Sequence, residues 1–375
     1  MSEPYKGIAY LELYVDDGPA VVKYYVRGLL FERVAVAYDR MQRSVLLRSH
    51  DAQVVITTPA RAGGPVADYL ARHGDGVADI ALYQQDLGAT LARANLTGMR
   101  VLPGPAPATT LQDVQLARIA GAGSVHHTLI QPTGTSFDGM PPGFCWDTDT
   151  VYEAAPDRAA RPRGIDHLTW CLPAGELEAV VSQYRRTFEM EIIGSNQIVA
   201  GATAANSHVL RDSAGVTHVM LETDRFLQPH GGGQIEAFIA RHGRGGIQHV
   251  AWSTNDLLAA IRRFTVGGVR FLDPPGAYYD ALPERLAAHP VIGDQLSNLH
   301  ESGVLVDHDH SGLLYQIFTR SPHRGDALFY ELIQRGPGTT GFGSATFRAL
   351  LEAQEAAASR PAPRTATDQP STPAS

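Results

Sequence analysis

Two histidines and a glutamate stand at equal steps in the second half of the chain. They are His167, His249 and Glu331, 82 residues apart each time (249 − 167 = 82 and 331 − 249 = 82). Two imidazoles and one carboxylate on one face are the ligand set of the non-haem Fe(II) oxygenases, which leaves three coordination positions open. No short motif such as HExxH marks them. What singles them out is the first half of the chain, which repeats the second. YLARHGDGVADIALYQQD at 69–86 matches FIARHGRGGIQHVAWSTND at 238–256. GIAYLELYVDD at 7–17 matches GIDHLTWCLPA at 164–174, and VHHTLIQPTG at 125–134 matches LFYELIQRGPG beginning at Leu328. Where the second copy has His167, His249 and Glu331, the first has Tyr10, Asp79 and Thr128.

Each residue also has a plainer role open to it. A lone strand histidine is more often a hydrogen-bonded core or surface residue than a ligand. His126, His127, His218, His308 and His310 compete for the part. His308 and His310 fall in VDHDHSG, which reads as a solvated turn. Glu331 differs, because FYELI is apolar and an unpaired carboxylate there is costly. That cost favours a ligand or a buried pair.

The elements that must position these residues follow from periodicity. Ile165–Cys171 alternates as a half-buried strand, and Glu176–Phe188 has helical spacing, with Leu177, Val180, Val181 and Tyr184 on one face. Strands are expected over 206–211 and 216–222, with a turn at Asp212–Gly215. The order repeats as strand 247–253, helix 256–266, strand 269–272, and strands near 303–307, 313–319 and 327–334. This is a βαβββ unit occurring twice per copy, four in all. The expected fold is α+β, with curved mixed sheets in two tandem modules. The modules span 1–135 and 164–355. Between them, 136–163 is a linker rich in Pro, Gly and Asp, with Phe144, Trp146 and Tyr152 to pack it down. Residues 356–375 are rich in Pro, Ser, Thr and Ala and read as a frayed tail. A turn at 336–343 leads into an amphipathic helix over 344–355, which could cover the open side of the cavity.

Composition excludes several classes. The 375 residues carry 31 Lys+Arg against 39 Asp+Glu, a formal net charge of -8, which argues against nucleic acid as a partner. Cys145 and Cys171 cannot build a disulfide framework. Every apolar stretch is interrupted before 18 residues, and the start shows no secretory pattern, so no membrane association and a cytoplasmic location are expected. GAGSVHH and GGGQIEAF lack the spacing of a dinucleotide or phosphate loop.

Over nearly the whole chain except the tail, these segments resemble the 4-hydroxyphenylpyruvate dioxygenase family of the vicinal-oxygen-chelate fold. The stretches are GIDH at 164–167, GIQHVAWSTND, FLDPPGAYYDALPERL at 271–286, VLVDHDHSGLLYQIFT at 304–319, and FYELIQRG with GFGSATFRALLEAQE. The resemblance implies Fe(II) on His167, His249 and Glu331, with 4-hydroxyphenylpyruvate and O2 as reactants. It also implies a homodimer or homotetramer. It places Gln234, Gln248 and Gln316 in the substrate pocket, and Phe318, Phe329, Phe342 and Phe347 around the ring or on its lid. Thr203, Asn206 and Ser207 join the same cavity. Gln248 adjoins His249, so strict alternation points it to the opposite face unless the strand is bulged.

The family has two outcomes from one substrate, homogentisate by ring attack or 4-hydroxymandelate by benzylic hydroxylation. Here the strand reads Val219-Met220-Leu221-Glu222-Thr223, with Leu221 where the ring-attacking enzymes have a pocket Asn. Thr203 stands where they have a pocket Ser. GATAANS, TLIQPTGTS with PPGF, and FTRSPHRG also resemble the benzylic branch. That branch yields 4-hydroxymandelate and CO2 and implies a role in 4-hydroxyphenylglycine and peptide-antibiotic biosynthesis. Homogentisate formation is the first alternative, and a metal-free small-molecule-binding protein of the same fold is the second.

Overall fold

The computed structural model describes residues 5–103, 113–134, 137–147, 158–200, 203–227, 233–286, 296–309, 312–342, 346 and 348. Their strands form two mixed sheets. The first holds β1 (Ile8–Tyr14), β2 (Glu32–Tyr38), β3 (Gln42–Ser49), β4 (Ala52–Pro59), β5 (Gly76–Tyr83), β6 (Val101–Leu102), β7 (Val114–Ala120), β8 (His126–Pro132) and β9 (Cys145–Trp146). The second holds β10 (Gly164–Leu172), β11 (Glu191–Ala200), β12 (Thr203–Arg211), β13 (Thr217–Thr223), β14 (Gly246–Ser253), β15 (Leu305–Asp309), β16 (Gly312–Phe318) and β17 (Phe329–Arg335). Their spatial orders are β6-β7-β8-β5-β1-β4-β3-β2-β9 and β11-β12-β13-β10-β14-β17-β16-β15. Each sheet joins two βαβββ units along a central antiparallel pair, β1 with β5 and β10 with β14.

Some local expectations change. Residues 269–272 form no strand; Phe271 makes only an isolated bridge to Thr319, just before Pro274 and Pro275. Proline supplies no ladder N–H, which stops pairing there. Glu191–Ala200 pairs with β12 as an edge strand that alternation did not reveal. His308 lies at the end of β15, and His310 falls outside the described residues. The segment after residue 136 does more than connect, since β9 pairs with β2, and Phe137, Met140 and Phe144 pack against the first sheet. Residues 356–375 and most of 344–355 lie outside the described residues.

One apolar core runs through both modules, from Leu11 and Leu13 to Trp170 and Trp252. Each module lends a helix to the other's sheet. Tyr184, on the helix Leu177–Phe188, has its hydroxyl 2.7 Å from His127 Nε2 of β8, and Tyr25 donates to Tyr330 of β17 at 2.8 Å. The backbones also meet directly. Gly123 has φ +58, and a Cβ there would fall 1.9 Å from the Gly245 carbonyl oxygen, so only glycine fits.

Candidate metal centre

The centre is built from two faults in one strand pair. Between β10 and β14, Ile165 opposes Trp252 and His167 opposes Ala251, so Asp166 is an extra residue. Further along, Thr169 opposes His249 and Trp170 opposes Ile247, so Gln248 is extra on the other strand. A β-bulge of this kind restarts the alternation and re-aims the side chains beside it. Ile165 and Leu168 both reach the core face, as do Ile247 and Val250. That spacing sends His167 and His249 to the other face. The first module has the same two bulges, at Ala9 and Ala78, where alanine offers no polar atom.

Across the sheet, His167 opposes Ala251, and Ala251 opposes Glu331 on β17. The small Ala251 separates the two larger side chains. Nε2 of His167 and Nε2 of His249 each lie 3.4 Å from Glu331 Oε2, and all three residues are buried. One ligand atom from each falls within 4.8 Å of the others. Their outer atoms are held from behind. His167 Nδ1 donates to Asp166 at 2.8 Å, and His249 Nδ1 makes a longer 3.3 Å contact with the Gln248 amide oxygen. Gln316 Nε2 donates to Glu331 Oε1 at 2.7 Å. Both histidines therefore present Nε2 and the glutamate presents Oε2, the orientation that partners behind metal ligands impose.

Asp166 is in turn gripped by Arg335, through Nε at 2.8 Å and Nη2 at 2.9 Å. Arg335 Nη1 donates to the Gly341 carbonyl at 2.6 Å, and its guanidinium lies 4.9 Å from the Phe342 ring centre. Phe342 meets the His167 ring edge-on at 5.2 Å. This contact chain ties the segment after β17 to His167.

Electrostatics fit a cation-binding site. Burial opposes charge on His167, but Glu331 and Asp166 overcome it and hold the imidazole well above its ordinary pKa. Burial would raise Glu331, but His167 and His249 pull it down. Burial keeps His249 low, only partly offset by Glu331. A proton on His167 thus occupies ground that a metal would take, and binding a metal would displace it. Two imidazole nitrogens and one carboxylate oxygen, with open positions, suit Fe(II).

Of the expected pocket residues, Phe318 and Phe329 flank His249, with ring centres 5.8 and 4.9 Å away. Gln248 is the extra residue of the β14 bulge, and its amide oxygen lies beside His249 Nδ1, behind the ring. Gln316 is buried, and its Oε1 has no hydrogen-bond partner among the described residues, which leaves an acceptor for a bound molecule. Leu221 pairs in register with Cys171 and Ser207, on the face of His167, and packs with Cys171, Ala205, Ile235 and Phe238. Gln234 opens the helix Gln234–His242, whose Ile235 and Phe238 reach that same cluster. Asn206 is turned away, because its pairing with Glu222 puts it on the opposite face, where it bonds Asp224. Thr203 begins β12, and Phe347 falls outside the described residues. Asp166 and Arg335 were missed. The Ile-x-x-Leu spacing around Asp166 was the available signal.

The competing histidines have other roles. His127 pairs with Tyr184, and His218 Nδ1 accepts from Trp170 Nε1 at 2.9 Å, both in the core between modules.

Two sheets of paired βαβββ units, one bearing a buried His-His-Glu set that could hold a metal, define the class as the glyoxalase or vicinal-oxygen-chelate superfamily. A model of the Glyoxalase/Bleomycin resistance protein/Dioxygenase superfamily matches residues 164–282. Among solved structures, a mutant of 4-hydroxymandelate synthase from Streptomyces coelicolor is 36% identical, with a TM-score of 0.83. The match covers 95% of this chain and 99% of that one. The 4-hydroxyphenylpyruvate dioxygenase of Aspergillus fumigatus is 26% identical, covering 94% of this chain and 92% of that protein. The enzyme of the same name from Caenorhabditis elegans is 28% identical, covering 77% and 75%. The chain belongs to the family of 4-hydroxyphenylpyruvate dioxygenases and 4-hydroxymandelate synthases.

Proposed function

We infer that the protein is an Fe(II)-dependent oxygenase that converts 4-hydroxyphenylpyruvate and O2 to 4-hydroxymandelate and CO2. The buried triad carries the first half of this reading. Fe(II) held by His167, His249 and Glu331 would supply chelation of the 2-oxo acid, activation of O2 and oxidative decarboxylation. The protein's own residues do the positioning. Asp166 and Gln248 fix the imidazoles, and Gln316 fixes Glu331 while keeping one acceptor free for the substrate's phenol. Phe318, Phe329 and Phe342 exclude water and confine the ring.

Leu221 carries the choice of product. An Asn in its place would offer an amide to the substrate; Leu221 offers only apolar contact, within a cluster that includes Cys171 and Phe238. Losing that polar hold lets the ring sit with its benzylic C–H toward the oxidant, and a displacement of about 1 Å is enough to change which atom reacts. The names of the Aspergillus and Caenorhabditis relatives favour a second reading, homogentisate formation. Loading the protein anaerobically with Fe(II) and 4-hydroxyphenylpyruvate, admitting O2, and identifying the product by chromatography and mass separates them. 4-Hydroxymandelate supports the proposal, and homogentisate overturns it while leaving the metal centre in place.

A further inference from the structure

The first module keeps a cavity of about 480 Å3 on the face that corresponds to the metal centre of the second. Its walls include Tyr10, Glu12 and Tyr14 from β1, Arg118 from β7, and Phe144. Asp79, at the position of His249, is fully engaged. It accepts from Thr128 N at 2.8 Å, Thr128 Oγ1 at 2.9 Å and Arg118 Nε at 3.0 Å. Arg118 is shared between Asp79 and the Tyr14 hydroxyl. Glu12 is different. Thr57 donates to its Oε1 at 2.7 Å, and no group among the described residues takes Oε2.

Asp79 and Glu12 face one guanidinium, and Asp39 also lines the cavity, so the charge left over once Glu12 is ionised is negative. An anion would meet an arginine already engaged and a carboxylate beside it. A cation would meet Glu12 and tyrosine rings, whose faces attract positive charge. We propose that the first module binds a small organic cation, a primary ammonium on a compact aromatic body, with Glu12 as its counter-ion. Burial and then Asp79 push Glu12 up to about 7, against the opposing pulls of Thr57 and Arg118. Tyr10 and Tyr14 hold their protons throughout, because burial raises both. An arriving ammonium therefore ionises Glu12, and binding near pH 7 releases part of a proton.

Isothermal titration of the full chain tests this, with benzylamine, benzyl alcohol and benzoate as probes. Benzylamine is expected to saturate one site per chain, at least about tenfold more tightly than benzyl alcohol, which is about 1.4 kcal/mol. Its heat should vary with the buffer's ionisation enthalpy, reporting the released proton. Glu12→Gln should weaken it at least tenfold, while His249→Ala leaves it unchanged. Preference for benzoate, full affinity in Glu12→Gln, or loss in His249→Ala overturns the proposal. Should Glu12→Gln fail to fold, Ala37→Phe fills the same cavity from a half-buried strand position, and retained binding there overturns it equally.

Discussion

Asp166 and Gln248 occupy the Nδ1 side of the two histidines, and that side decides which nitrogen is free to meet a metal. Removing the Asp166 carboxylate frees His167 to rotate or to change tautomer, and it strands the Arg335 guanidinium. Asp166→Ala is predicted to weaken Fe(II) affinity by about 10–100-fold, as losses of a partner behind a metal-bound histidine do. Competition with a chelator of known affinity measures it, and unchanged affinity would show that Phe342 alone orients the ring. Leu221 acts at the same scale on product choice. Leu221→Asn restores an amide beside the substrate, and at least a tenth of the product is predicted to become homogentisate. Product from the variant identical to that of the parent would remove Leu221 from the account.

At the scale of elements, the helix Leu177–Phe188 works as a lock across the two modules. Its Tyr184 bonds His127 Nε2 and accepts from the Ala122 N–H, 3.2 Å away. Tyr184→Phe leaves both buried groups without a partner and is predicted to cost about 2 kcal/mol in urea unfolding. A loss below about 0.5 kcal/mol would show that ring packing alone holds the helix. This lock was not legible in the sequence, because helical spacing shows that Tyr184 is buried but not which module it meets. The repeat was legible, and with it the paired units and the three residues that the fold brings together, since aligned copies expose substitutions that single motifs hide. The bulges were half legible. Ile8-x-x-Leu11, Val77-x-x-Ile80, Ile165-x-x-Leu168 and Ile247-x-x-Val250 each put apolar residues three apart on one face of a strand, which only an extra residue permits. Strand β11 escaped because its Ile192, Ile193 and Val199 are exposed at a sheet edge, where alternation carries no burial signal.

For the whole molecule, the core between modules is packed around neutral histidines. Burial lowers His127 and His218 to about 3 and His242 to about 4. In the unfolded chain each takes a proton as pH falls through about 6.5, whereas in the native core it does not, so stability falls toward acid. Each such histidine removes about 1 kcal/mol between pH 6.5 and 5.5. Glu12, raised to about 7, holds its proton more tightly when folded and works in the opposite direction over that interval. His126, lowered to about 4, adds to the loss, and His167, raised to about 9, opposes it weakly because it is protonated in both states through most of this interval. Urea unfolding is predicted to show lower stability at pH 5.5 than at pH 6.5. Equal or greater stability at pH 5.5 would mean that these histidines already carry protons in the fold.

The same unit builds both modules, and among the described residues a His-His-Glu set that could hold a metal stands in the second alone. Counting the metal is the most direct test of that asymmetry. The full chain, equilibrated with Fe(II) under nitrogen and freed of unbound metal, should retain one iron per chain, and His249→Ala should retain none. Two irons per chain, or an unchanged count in His249→Ala, would contradict it.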